Sequence, residues 1–238
     1  MKKSYIPKQH GAWAMLAVPF LSGMFASNPT WSHALLFAGW MLVYLFSYPF
    51  LQWIRTKKTK NYKNPMLLYG GLLIPVAAGL IWIEPLIWRW IPLFLPLFIV
   101  NCYFARRNRE RAFLNDLAAV IQFSLMTFVA YYVGNGLDWW LAAELFALNV
   151  LYFTGTVFYV KTIIREKNNV RFYWVSVAYH TVILGVAALL FPKWMWVPLL
   201  ILLIRAFWSP RTHITVKRCG MLEILYSVFV VATVLIVY

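Results

Sequence analysis

The chain has 238 residues, 63% hydrophobic and 12% charged, with a formal net charge of +15. A soluble domain is nearer half apolar and a quarter charged, so this composition excludes a fold that covers itself in water. The basic excess would suggest nucleic acid in a soluble protein, but beside membrane spans it faces anionic inner-leaflet lipid, and no nucleic-acid partner is expected.

The apolar sequence divides into nine membrane-length runs, at 11–27, 33–54, 66–83, 88–104, 113–133, 139–160, 172–191, 194–208 and 219–238. About 20 residues at 1.5 Å each cross a hydrocarbon core of about 30 Å. The fourth and eighth runs are shorter, and each has an Arg near one end, Arg89 and Arg205, expected to snorkel to the headgroups. The first run follows Lys2, Lys3 and Lys8 as a signal peptide would. Met24-Phe25-Ala26 lacks the small residues of a cleavage site, so an uncleaved first span is expected. The loops leave no room for a soluble domain, and residues 1–238 form a single integral membrane domain, an all-α polytopic helix bundle.

Of 22 Lys and Arg, 20 fall at the N-terminus and in every second loop, and only Arg89 and Lys193 lie in the others. Basic residues beside spans stay cytoplasmic. The pattern predicts a multi-pass protein of the bacterial inner membrane with the N-terminus inside and the C-terminus outside. Tryptophans and tyrosines at the span ends form two interfacial belts, with Trp82, Trp88, Trp90, Trp139, Trp140, Trp194 and Trp196 in the outer one. Gly70, Gly71 and Gly79 in the third run are expected to allow close helix packing. Cys102 and Cys219 have neither CxxC spacing nor a nearby His, which argues against a disulfide or a metal role.

Polar residues in hydrocarbon are costly, so their positions carry information. Four runs carry a polar stripe at helical spacing in their cytoplasmic halves: Tyr44, Tyr48 and Gln52; Asn115 and Gln122 with Asp116; Asn149, Tyr152, Thr156 and Tyr159; Tyr173, Ser176 and His180. They predict one cytoplasm-facing polar cavity rimmed by the basic loops 55–63, 106–111 and 161–171. Interhelical hydrogen bonds that only hold the bundle together, at about 0.6 kcal/mol each, are the plainer alternative.

Three features mark the rim. His10, entering the first run, is the group that titrates nearest neutral pH. Arg106, Arg107, Arg109 and Arg111 lead into Asn115 and Asp116, where pairing of Asp116 with Arg109 or Arg111 is expected. Tyr159, Lys161 and Arg165 close the sixth run. Arginine forks bind phosphate bidentately, so these loops suit an anionic head group. The candidate ligand-binding residues are therefore His10, Tyr48, Arg106, Arg107, Asn115, Asp116, Gln122, Tyr152, Tyr159, Lys161, Arg165 and His180. No Walker loop, GxSxG, HExxH or carboxylate pair at metal-ligand spacing occurs, so no cofactor, metal site or catalytic residue is assigned.

The segments Pro7-Lys8-Gln9-His10-Gly11-Ala12-Trp13-Ala14, Ala105-Arg106-Arg107-Asn108-Arg109-Glu110-Arg111 and Phe158 through Glu166 resemble the YwiC-like family of bacterial membrane proteins. That resemblance runs the whole length and implies no particular activity. A second one is architectural. Nine helices with a cytoplasmic N-terminus, and the run Tyr103-Phe104-Ala105-Arg106-Arg107, resemble the UbiA-type intramembrane prenyltransferases. Those enzymes hold a prenyl diphosphate through magnesium on two aspartate-rich motifs. The matching regions here are 48–65, which has no acid, and 159–171, which has only Glu166. A diphosphate leaving group needs its charge neutralised by metal, so the usual mechanism does not transfer.

The leading expectation is a multi-pass membrane protein that binds an anionic lipid or isoprenoid-like ligand in a cytoplasm-facing cavity without the aspartate–magnesium site. If it is an enzyme, it is a prenyltransferase-like transferase with degenerate motifs. A small-molecule transporter or a membrane scaffold are the alternatives.

Overall fold

The computed structural model describes Ile6, Pro7, residues 10–212 and 214–238, with His10 described for its backbone alone. The described residues are all-α. The helices are α1 (His10–Phe25), α2 (Trp31–Thr56), α3 (Thr59–Ile83), α4 (Ile91–Arg106), α5 (Phe113–Ser124), α6 (Met126–Val133), α7 (Trp139–Ile164), α8 (Val170–Leu190), α9 (Trp196–Trp208) and α10 (Val216–Val237). Single 3-10 turns precede α4, precede α9 and follow it. α5 and α6 form one apolar rod, Phe113–Val133, interrupted at Leu125.

Seven of these rods are long and apolar enough to cross a membrane. Two of the nine expected spans fall short. α1 has 16 residues and α9 has 13, which at 1.5 Å each gives about 24 and 20 Å. α1 is nevertheless an apolar helix, and Pro192 and the turns around α9 shorten the second of the two.

Length does not measure centrality. α1 lies between the two apolar clusters of the bundle. Its Val18 joins Leu145, Leu148, Ile183, Leu199, Leu202 and Val230, from α7 to α10. Its Leu16 and Phe20 join Leu36, Trp40, Met126 and Val129, from α2 and α6. Lipid is as apolar as leucine, so such packing is driven by close contact more than by escape from water. The closest contact is at Gly23. A Cβ built there would lie 2.1 Å from the Thr127 carbonyl oxygen, so only glycine lets α1 and α6 meet. Gly134 meets Ser27 in the same way. The glycines expected to do this in α3 do not: Gly71 has open space, and Gly70 and Gly79 leave room for a methyl.

Caps explain several boundaries. The Asp138 carboxylate accepts from the Trp140 and Leu141 amides, and Asn169 and Thr215 cap α8 and α10 likewise. The Thr30 amide donates to His33 Nδ1 at 3.0 Å, so the ring carries its proton on Nε2 and donates it to the Ala130 carbonyl at 2.9 Å. That bond ties the start of α2 to α6. The outer surface is apolar, with Trp82, Leu189 and Ile236 all more than four-fifths exposed, as the lipid-facing side of a multi-pass membrane protein requires.

Candidate functional site

Three basic segments meet at the loop 107–112 that joins α4 to α5. Asn108 adopts the left-handed conformation at φ 55°, which asparagine tolerates, and turns the chain sharply after α4. From the end of α2, Arg55 reaches Glu110 in this loop at 3.2 Å. From α7, the Lys161 ammonium pairs with Asp116 at 2.8 Å and donates to the Arg111 carbonyl at 3.1 Å. Arg165 donates to the same carbonyl at 3.5 Å. Burial pulls the Arg165 guanidinium below its usual range, while the nearby Asp116 carboxylate acts the other way. Asn115 donates to the Glu110 carbonyl at 2.7 Å and closes the loop from inside.

The expected partner of Asp116 is thereby corrected. It pairs with Lys161 and not with Arg109 or Arg111, whose side chains are exposed. Lys161 is buried and lies over the Phe113 ring at 5.5 Å, so its charge needs the carboxylate that faces it. Arg106 and Arg107 stand exposed at the end of α4, Arg107 over the Tyr103 ring at 5.6 Å. With Arg109, Lys167 and Arg171 they form no ion pair among the described residues. Residues Arg165 to Arg171 line an open hollow of about 670 Å³ at the α7–α8 turn.

The remaining candidates divide among other contacts. Gln122 accepts from Asn101 of α4 at 3.1 Å. Asn149 donates to Thr127 of α6 at 3.1 Å. Tyr44 packs edge-on against Trp13 and Phe123, with Tyr48 one turn further along α2 and half-buried. The His10 side chain lies outside the described residues. Among these residues the structure joins Asp116, Lys161 and Arg165 to one another, and Tyr152, Tyr159 and His180 to a second polar centre.

That centre was read differently in the sequence. Arg205 does not snorkel. Its side chain is 0% exposed, and Nη1 meets Glu223 of α10 at 2.6 Å. The guanidinium lies against two rings, with Cζ 4.1 Å from the Tyr159 centroid and 5.0 Å from that of Tyr226. Ser227 gives its proton to the Glu223 carbonyl at 2.7 Å, so at the 2.8 Å contact with Tyr152 the tyrosine is the donor. His180 Nδ1 donates to the Ser176 carbonyl at 2.7 Å, which leaves Nε2 as an acceptor facing Gly155. The signal that could have found this centre is an Arg and a Glu each standing alone in an apolar run.

The acids of the rim are engaged: Glu110 by Arg55, Asp116 by Lys161, and Glu166 by Asn169 at 2.8 Å. Among the described residues no three His, Cys, Asp or Glu gather as metal ligands would, and Cys102 and Cys219 are free thiols.

No solved structure matches the chain, so the likeness to the UbiA-type prenyltransferases has no structural support. An "Uncharacterized protein YwiC" of Bacillus subtilis (strain 168) is 40% identical over 236 residues, covering 97% of this chain and 96% of that one. An "Uncharacterized protein" of Haemophilus influenzae (strain ATCC 51907 / DSM 11121 / KW20 / Rd) is 34% identical over 233 residues, 93% of each chain. Residues 6–131 match the family described as YwiC-like protein, and with two such full-length relatives the chain belongs to that family.

Proposed function

We propose that this protein binds an anionic amphiphile, a lipid or isoprenoid-like molecule, at the polar, cytoplasm-facing end of its bundle, where basic side chains hold the acid group directly. In this reading it sits in a bacterial inner membrane with its N-terminus cytoplasmic and its C-terminus outside. The observation that carries the reading is the convergence of three basic segments on loop 107–112 through Arg55–Glu110, Lys161–Asp116 and Arg165. Segments 55–63, 106–116 and 161–171 hold thirteen Lys and Arg against three acids. Like charges do not gather without cost, and an anion offsets their repulsion. Arg106 and Arg107 are the free forks of this surface, with Arg165 at its inner edge.

A bridging magnesium has little to hold here, because each rim acid already faces a donor. Binding of geranylgeranyl diphosphate to the detergent-solubilised protein, read by native mass spectrometry, should persist in excess chelator and weaken with salt. It should fall about tenfold in Arg107→Ala or Arg165→Ala, the equivalent of one charge-assisted hydrogen bond. Magnesium-dependent binding that survives both substitutions refutes the reading.

A scaffold reading is favoured by one set of contacts. Asn149–Thr127, Asn101–Gln122 and Tyr152–Ser227 each pair one polar group with another across helices, as bundle-holding bonds do.

A further inference from the structure

We infer that the Arg205 guanidinium is a second binding site, inside the bundle, for the acid group of an oxyanion ligand: a carboxylate or a phosphate on an apolar tail. It is distinct from the rim and does not depend on it. The argument begins with cost. Removing two ions from water costs several kcal/mol each, and attraction repays this only when the remaining donors are also satisfied. A pair kept for packing alone would spend both oxygens of the glutamate on both arms of one guanidinium edge. Here the pair is a single contact, Nη1 to Oε1.

Arg205 Nε and Nη2 are buried and have no hydrogen-bond partner. These two atoms carry parallel N–H bonds on one edge of the guanidinium. That edge is the fork that takes two oxygens of a carboxylate or phosphate at once. The Tyr159 and Tyr226 rings, 4.1 and 5.0 Å from Cζ, restrain the cation before any ligand arrives. Glu223 stays on Nη1 through Oε1, and its Oε2 is also buried without a hydrogen-bond partner. The Thr156 hydroxyl and the Nε2 acceptor of His180, which faces neighbouring Gly155, are likewise buried without a hydrogen-bond partner. The apolar tail has neighbours of its own kind, since Leu202 of α9 and Val230 of α10 belong to the apolar cluster beside the pair.

The test uses the full chain in a neutral detergent with two probes, oleate and geranylgeranyl phosphate, each measured by equilibrium dialysis. Arg205→Lys keeps the charge and removes the fork, and should weaken binding at least about tenfold. Glu223→Gln removes the competing negative charge and should tighten it by a similar factor. In an Arg107→Ala, Arg165→Ala background, which removes the rim forks, Arg205→Lys should still weaken the remaining oleate binding about tenfold, which separates this site from the rim. Preference for one probe tells carboxylate from phosphate. If neither probe binds, or if Arg205→Lys binds as the natural protein does, the inference is wrong. If Arg205→Lys fails to fold, Glu223→Gln decides: unchanged or weaker binding overturns the inference, and tighter binding upholds it.

Discussion

Replacing Glu223 with leucine should be among the most destabilising single changes available in this chain. The side chains of Arg205 and Glu223 are 0% and 2% exposed, so the arginine cannot turn to solvent when its partner is lost. Breaking a buried pair by removing one partner costs about 3–5 kcal/mol. The Tyr159 and Tyr226 rings remain and retain part of the attraction to the cation, which places the expected loss near 3 kcal/mol. At about 2–4 °C per kcal/mol for a chain of this size, the midpoint of thermal unfolding should fall by about 6–12 °C. Arg205→Met should cost less, because an abandoned carboxylate can take up a proton and a guanidinium cannot give one up. The Arg205→Met, Glu223→Leu double variant should recover most of the loss, since an apolar pair of similar volume carries no desolvation penalty. Thermal unfolding of all four proteins in one detergent, followed by circular dichroism, gives the coupling. If Glu223→Leu melts with the natural protein, or if the two single losses simply add in the double variant, then the buried ion pair does not have the role its geometry assigns it.

Gly23→Ala should lower the melting point by about 2–8 °C for a cost of about 1–2 kcal/mol, because the new methyl meets the Thr127 carbonyl carbon and oxygen; Gly71→Ala, with open space, should change it little. Equal effects of the two changes would show that the α1–α6 crossing is looser than its backbone implies. A reporter fused after Tyr238 should be active outside the cytoplasm and one inserted near Lys60 inside it; the opposite result at both points refutes the proposed orientation.

Much of the bundle was legible because hydropathy is a local property. Every expected run is occupied largely by helix, and the breaks between them fall at 26–30, 84–86, Gly134, Pro192 and the basic loops. What the sequence could not supply was the partner of each polar residue. Spacing puts Asn149, Tyr152 and Tyr159 on related faces of α7, yet Asn149 meets α6, Tyr152 meets α10 and Tyr159 lies on Arg205. Helical periodicity names a face and says nothing of what the face touches. The same limit hid the partner of Asp116, which comes from α7, 45 residues away at Lys161. Glycine shows it from the other side. Three glycines in α3 advertised a close crossing, while the contacts that exclude a methyl are at Gly23, Gly134 and Gly136, set by where α1, α6 and the turn after α6 run. Arg205 was misread for a further reason. An arginine near the end of a short helix has a cheap route to the headgroups, and only the carboxylate of Glu223, on the next helix, makes staying inside possible.

The two polar centres differ in what they cost the protein, and that difference decides how much each can say about function. Exposed residues such as Arg106, Arg107 and Arg171 keep their hydration, and positive-inside topology alone would put them where they are. Their convergence through Arg55–Glu110 and Lys161–Asp116 adds something, but exposed ion pairs are individually weak and tolerate change. Arg205 has no such excuse. Topology does not require it, hydropathy opposes it, and an apolar pair in place of it and Glu223 would carry no desolvation penalty. α7 passes between the two centres: Lys161 turns to α5 while Tyr159, two residues and about 200° away, turns to Arg205. Any shift of α7 that accompanied an acid group arriving at the rim would therefore be felt at the Arg205 fork, and the reverse. A group that the membrane penalises, held with its fork unsatisfied, is the stronger evidence for a ligand, and the rim is the weaker.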